Sequence, residues 1–226
     1  LNFNYSKEGR LFMRKLSVAL ILVGFLIFLY PILRDWNADR QQDGLLKEAA
    51  RIEAEAQQRT AQDNVAVHYK ELSRILDEGE APASTQEEQA SYEEGSPIGI
   101  ITISKLKLEL PILEGATQSN MKNAAARVTG TAKLGEAGNA AIAAHRAHKT
   151  GRLFNRLNEL TYGDEVIIKT EGRELIYRVD QISVVEPTDV SVLEGDPDEQ
   201  IITLITCDPI YEATHRLIVQ AELVSD

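Results

Sequence analysis

The chain has 226 residues, 43% of them hydrophobic, which is enough for one ordinary globular core once any targeting segment is set aside. Its 24 Lys+Arg against 35 Asp+Glu leave a formal net charge of -11, a balance that repels a phosphate backbone and speaks against nucleic acid as a partner. One cysteine allows no internal disulfide framework and no zinc-type ligand cluster, so that thiol has to be explained singly.

The first part, residues 1–34, carries a net charge of about +4. Within it, residues 16–33 are uncharged and rich in Leu, Ile, Val and Phe, long enough at roughly 1.5 Å per residue to cross most of a bilayer core. Lys7, Arg10, Arg14 and Lys15 precede this run and acids dominate after it, so the positive-inside rule predicts a single-pass helix with a cytoplasmic N-terminus and the bulk of the chain outside. Tyr30 and Trp36 suit the outer interface. A cleaved signal peptide shares the charge logic but has a shorter apolar run and a small-residue cleavage site, and no convincing site follows Leu33.

Residues 35–96 are acidic, about -9, and rich in Glu, Gln, Ala and Arg. Strong helix formers and a partial apolar stripe predict helix over 44–77, while Gly, Pro, Ser, Thr and acids over 79–97 read as a linker. The apolar stripe is not a sustained heptad, so the segment reads as a solvated stalk, with His68 on its surface.

From Pro97 onward β-branched runs alternate with turn residues: 98–103, 108–113, 140–144, 165–170, 174–185, 200–207 and 215–224. Gly163-Asp164 and Glu171-Gly172 supply turns. Leu153, Phe154, Leu157 and Leu160 fall at helical intervals and predict one short helix or helical turn. The pattern predicts an all-β domain over 97–226, a closed or nearly closed barrel with small helices.

Cys207 ends the run Ile201-Ile202-Thr203-Leu204-Ile205-Thr206-Cys207, and Asp208-Pro209 follows, so the thiol sits at a strand end. A barrel can hold such a position rigidly while it faces a loop-lined cleft, which suits a nucleophile, although lone cysteines also serve as buried small hydrophobes. A thiol nucleophile needs a base or cationic neighbour, and the domain offers His145, His148 and His215. His145 closes the run 140–144, His148 lies in a polar turn, and His215 opens the last strand; spacing favours His145 without settling the choice. Arg216 opens the strand after Cys207, where antiparallel pairing would set the two side by side as an oxyanion donor, or else as a rim salt bridge to Asp208 or Glu212.

The run Thr203-Leu204-Ile205-Thr206-Cys207 with Arg216 nine residues on resembles the TLxTC…R signature of the sortases, Gram-positive surface transpeptidases. Gly99 to Ile103, Leu110 to Gly115, Gly130 to Asn139 with Ala143-Ala144-His145-Arg146, Gly151 to Leu157 and Gly163 to Val166 extend the likeness over essentially all of 97–226. The resemblance implies an eight-stranded sortase barrel in which Cys207 is the nucleophile, His145 the general acid/base and Arg216 the stabiliser of substrate and oxyanion, with Thr206 lining the substrate site. The sequence departs from the family at Ala144, where a glycine is common before the histidine, and at Ala124-Ala125-Ala126.

The implied reaction is a ping-pong transfer. The Cys207 thiolate cleaves an LPxT-type sorting signal, and an amine of the peptidoglycan precursor takes the acyl group. A cysteine hydrolase on the same scaffold and a non-catalytic wall-associated protein are the alternatives. The chemistry requires no metal or organic cofactor. Some relatives bind calcium before the cysteine strand, and Glu186, Asp189, Glu194, Asp196, Asp198 and Glu199 are acidic there, but they match no defined ligand spacing and read as a solvated loop. The sequence shows no second apolar segment like that of the pilin-polymerising class, and its 186–200 stretch is too short for the helix-bearing insertion of the haem-uptake class; a housekeeping class A-like or class D enzyme is left, and the Asp208-Pro209 and Thr214-His215-Arg216-Leu217 context favours class D.

Overall fold

A computed structural model describes the backbone of residues 7–77 and 92–225; residues 78–91, most of the expected linker, lie outside the described residues, as does the side chain of His68. Helix α1 spans Lys7–Asp77 without interruption. The chain divides into two compact units, residues 1–41 and 42–226.

The first unit holds the apolar part of α1. By length and composition this helix can cross a membrane, and Leu20, Ile21, Leu22, Val23, Phe25, Ile27 and Phe28 all expose their side chains, the distribution expected of a surface meant for lipid.

The second unit is built on eight strands: β1 Pro97–Ile103, β2 Leu108–Glu114, β3 Ala125–Arg127, β4 Gly138–Ala143, β5 Glu165–Thr170, β6 Arg173–Val185, β7 Gln200–Asp208 and β8 His215–Ser225. They close into a barrel in the order β1-β2-β3-β4-β7-β8-β6-β5. Closure removes free sheet edges, and the period-2 pattern places alternate side chains inside. In β5 the inward set is Val166, Ile168 and Thr170; in β7 it is Ile202, Leu204 and Thr206. Two register shifts in β6, between Ile176 and Tyr177 and between Val179 and Gln181, bend that long strand as closure requires. Most pairs are antiparallel, but β2–β3 and β4–β7 are parallel.

Seven strands fall where the β-branched runs predict them. The eighth, β3, is an alanine-rich segment whose Ala124, Ala125 and Ala126 are fully buried. Between β4 and β5 helical geometry is confined to a 3-10 turn at Leu157–Glu159, while Leu153 and Phe154 are buried in a non-helical loop, Leu153 with a positive φ of 48°.

The stalk helix is not merely a solvated spacer. Ala49 is 1% exposed, and Glu53 accepts a hydrogen bond from the Gly172 amide at 2.9 Å. Gly172, with φ +76°, is the tip of the β5–β6 hairpin, and a Cβ there would lie 2.7 Å from the Gln57 backbone nitrogen. Helix backbone and hairpin backbone therefore touch directly, which only a glycine permits.

Candidate active site

Strand β7 lies between β4, which runs parallel to it, and β8, which runs antiparallel. The β7–β8 ladder pairs Cys207 with Arg216 and Asp208 with His215. On the other side the last strand pair is Ala143 with Ile205, and the Ala144 amide donates to Ile205 O at 3.1 Å. His145 stands two residues past Ala143 and Cys207 two past Ile205, so the parallel register brings the two residues level. Inward-facing Ile202, Leu204 and Thr206 leave Thr203, Ile205 and Cys207 on the outer face of β7. Cys207 is a free, partly exposed thiol, His145 is exposed and Arg216 is partly exposed. The three residues expected from sequence thus converge on one end of β4-β7-β8, each at least partly exposed.

The surrounding side chains divide differently from expectation. Thr206, expected to line the substrate site, is 2% exposed, and its hydroxyl donates to Ala144 O at 2.9 Å. The alternation of β7 points it into the barrel, on the face opposite Cys207, and its hydroxyl joins β7 to the end of β4. Asp208, weighed above as a partner for Arg216, is ion-paired with Arg146, and the same guanidinium donates to Cys207 O at 3.3 Å. Arg216 donates to His215 O at 2.9 Å. His215 Nε2 lies 3.3 Å from Glu186, and the exposed His148 ring contacts that of Tyr211 at 4.8 Å between centroids. Ala144 is buried and keeps a negative φ, so the methyl that replaces the family's glycine is accommodated.

Sequence reasoning missed a buried polar network beneath the loop between β6 and β7. Asn139, 3% exposed, donates to Val192 O and Glu194 O, both at 3.0 Å, and accepts from the Thr203 hydroxyl at 2.8 Å. Gly195 packs so tightly there that a Cβ would sit 2.5 Å from the Asn139 nitrogen. The loop is tied to the barrel floor, and only a buried Asn and Thr in otherwise apolar strands hint at it. The loop's acids serve local structure: Ser191 donates its hydroxyl and amide to Asp189, holding that carboxyl below the usual aspartate range, and Asp196 accepts the Asp198 amide. Among the described residues no group of three or more His, Cys, Asp and Glu side chains is gathered as a metal site.

A sortase domain family model matches residues 101–224. Sortase A of Bacillus anthracis is 27% identical over 208 residues, covering 92% of this chain and 92% of the relative. Sortase A of Streptococcus agalactiae is also 27% identical, over 92% of this chain and 83% of the relative. Among solved structures, a Clostridium perfringens sortase D5 transpeptidase superposes with a TM-score of 0.55 at 32% identity, over 60% of this chain and 83% of that one. Sortase C1 of GBS pilus island 1 superposes with a TM-score of 0.62 at 26% identity, over 82% and 93%. The chain belongs to the sortase family. It is therefore a cysteine transpeptidase with a general role at the cell wall, and its apolar N-terminal helix fits a membrane anchor.

Proposed function

We propose that this enzyme cleaves an LPxT-type sorting signal of a secreted protein and joins the new acyl end to an amine of the peptidoglycan precursor, from the outer face of a membrane whose cytoplasmic side holds the N-terminus. The observation that carries the reading is the register of β7, which sets Cys207 opposite Arg216 and level with His145. The Cys207 thiolate attacks the threonine carbonyl, and Arg216 donates to the oxyanion as it forms. On collapse the C–N bond breaks, His145 protonates the departing amine and a thioester remains. The incoming wall amine then attacks the thioester, loses a proton to His145 and releases the thiolate. The Asn139 network holds the β6–β7 loop against the outer face of β7.

The test is to incubate the detergent-solubilised full chain with LPxTG and LPxTA peptides, each with and without triglycine or diaminopimelate, and to follow products by mass. An amine adduct that depends on Cys207 is expected. Absence of any adduct under every pairing, with the thiol intact, would overturn the transfer reading.

A further inference from the structure

The backbone ladder between β4 and β7 stops at Ala143 and Ile205, before it reaches either His145 or Cys207. Base and nucleophile therefore lie beyond the last strand pair, where backbone bonds no longer fix the distance between two parallel strand ends. Side chains take over at that point. Thr206 reaches across to Ala144 O, the residue before the base. Arg146, the residue after the base, reaches back to Cys207 O and to Asp208, the residue after the nucleophile. The Arg146 side chain is 10% exposed and that of Asp208 29%, so solvent screens this pair less than an ordinary surface pair. Arg146 is itself held by a β-bridge to Leu153, and Phe154 N donates to His145 O at 3.1 Å.

We infer that Arg146 and Asp208 are positioning residues for the transpeptidation, a charged clasp that extends the β4–β7 pairing past its last strand pair and sets the separation of His145 and Cys207. This inference rests on the assignment of those two residues as base and nucleophile. Arg146 touches the carbonyl of the nucleophile's own peptide unit, so loss of the clasp removes the tie between the β4 end and Cys207 while β8 still pairs with the β7 end. A positional error near 1 Å in a proton-transfer pair costs on the order of 10²-fold in rate.

The experiment measures kcat and KM for Arg146→Gln, Asp208→Asn and the double variant, with an LPxTA peptide and diaminopimelate or an LPxTG peptide and triglycine. Each single variant is expected to lose about 10- to 100-fold in kcat with KM within about threefold, and the double variant to be no worse than the poorer single one. Asp208→Glu, which keeps the charge, should recover part of the loss. Thermal unfolding is followed in parallel. Wild-type kcat in folded single variants, losses that multiply in the double variant, or losses accounted for by the unfolded fraction would each overturn the clasp. Cys207→Ala is the internal control: if it turns over, the assignment of the site itself is wrong, whereas an inactive Cys207→Ala beside fully active clasp variants removes only the present inference.

Discussion

The two ends of β6 are finished in opposite ways. At its Arg173 end the chain turns through Gly172 against the backbone of α1, with Ala49 buried and Glu53 capping the hairpin amide. At its Val185 end, opposite Arg216, the ladder partner of Cys207, loops are exposed and order comes from polar side chains: Thr206 to Ala144 and Arg146 to Asp208. A reactive end must leave its groups open to a peptide, so it cannot be sealed by apolar packing. Hydrogen bonds then do what burial does elsewhere.

If that contrast is right, substitutions at the two ends should separate cleanly into effects on rate and effects on stability. The largest effect belongs to Cys207→Ala, expected to abolish adduct formation, a loss of at least about 10⁴-fold. Its thermal midpoint should stay within a few degrees, because the thiol lies on the outer face; mass detection of adduct and a melting curve check both. Next come His145→Ala, expected to lose about 10²- to 10⁴-fold in kcat/KM, and Arg216→Ala, about 10²- to 10³-fold. Near-normal turnover in either variant would break the assignment of that residue.

At the other end, Gly172→Ala places a Cβ against the Gln57 backbone at a positive φ and should weaken helix docking by about 1–3 kcal/mol. Hydrogen exchange in residues 45–57 should speed up while kcat is unchanged. A fall in kcat there would couple the two ends and dissolve the distinction between them. The smallest effect expected is that of Tyr92→Phe, about 0.5–1.5 kcal/mol, from loss of the 2.5 Å hydrogen bond to Glu171. Burial, and then that bond, raise the Tyr92 hydroxyl well above the ordinary tyrosine range. The raised group contributes fully below pH of about 10 and loses its contribution as pH rises further, so denaturant curves of the two proteins should converge in strong alkali.

Legibility from sequence followed how local each signal was. The runs that became β1, β5, β7 and β8 carry their own β-branched pattern, and Cys207 and Arg216 meet across consecutive strands, so their juxtaposition follows from one antiparallel turn. His145 required the family resemblance, because β4 and β7 pair in parallel across most of the domain and no short-range rule selects that neighbour. β3 was invisible because Ala125 and Ala126 have no strand preference; β2 and β4 impose the conformation from either side. The docked helix was equally hidden, since Glu53 finds its partner 119 residues away. For Thr206, membership in a motif next to Cys207 says nothing about which face of the strand it occupies, and period-2 alternation puts it on the inner one.

The parallel pairing of β4 with β7 also bears on when the protein becomes dangerous to its surroundings. The bond from Arg146 to Cys207 closes a loop of 61 residues, and that closure brings together groups that are ordinary while the strands are apart. A nascent chain that has formed β1 to β6 but not inserted β7 carries a histidine and, later, a thiol, yet no catalyst. The site is complete only where β7 lies between β4 and β8 in the closed barrel. The topology thus makes acylating power a property of the closed barrel and not of any single strand.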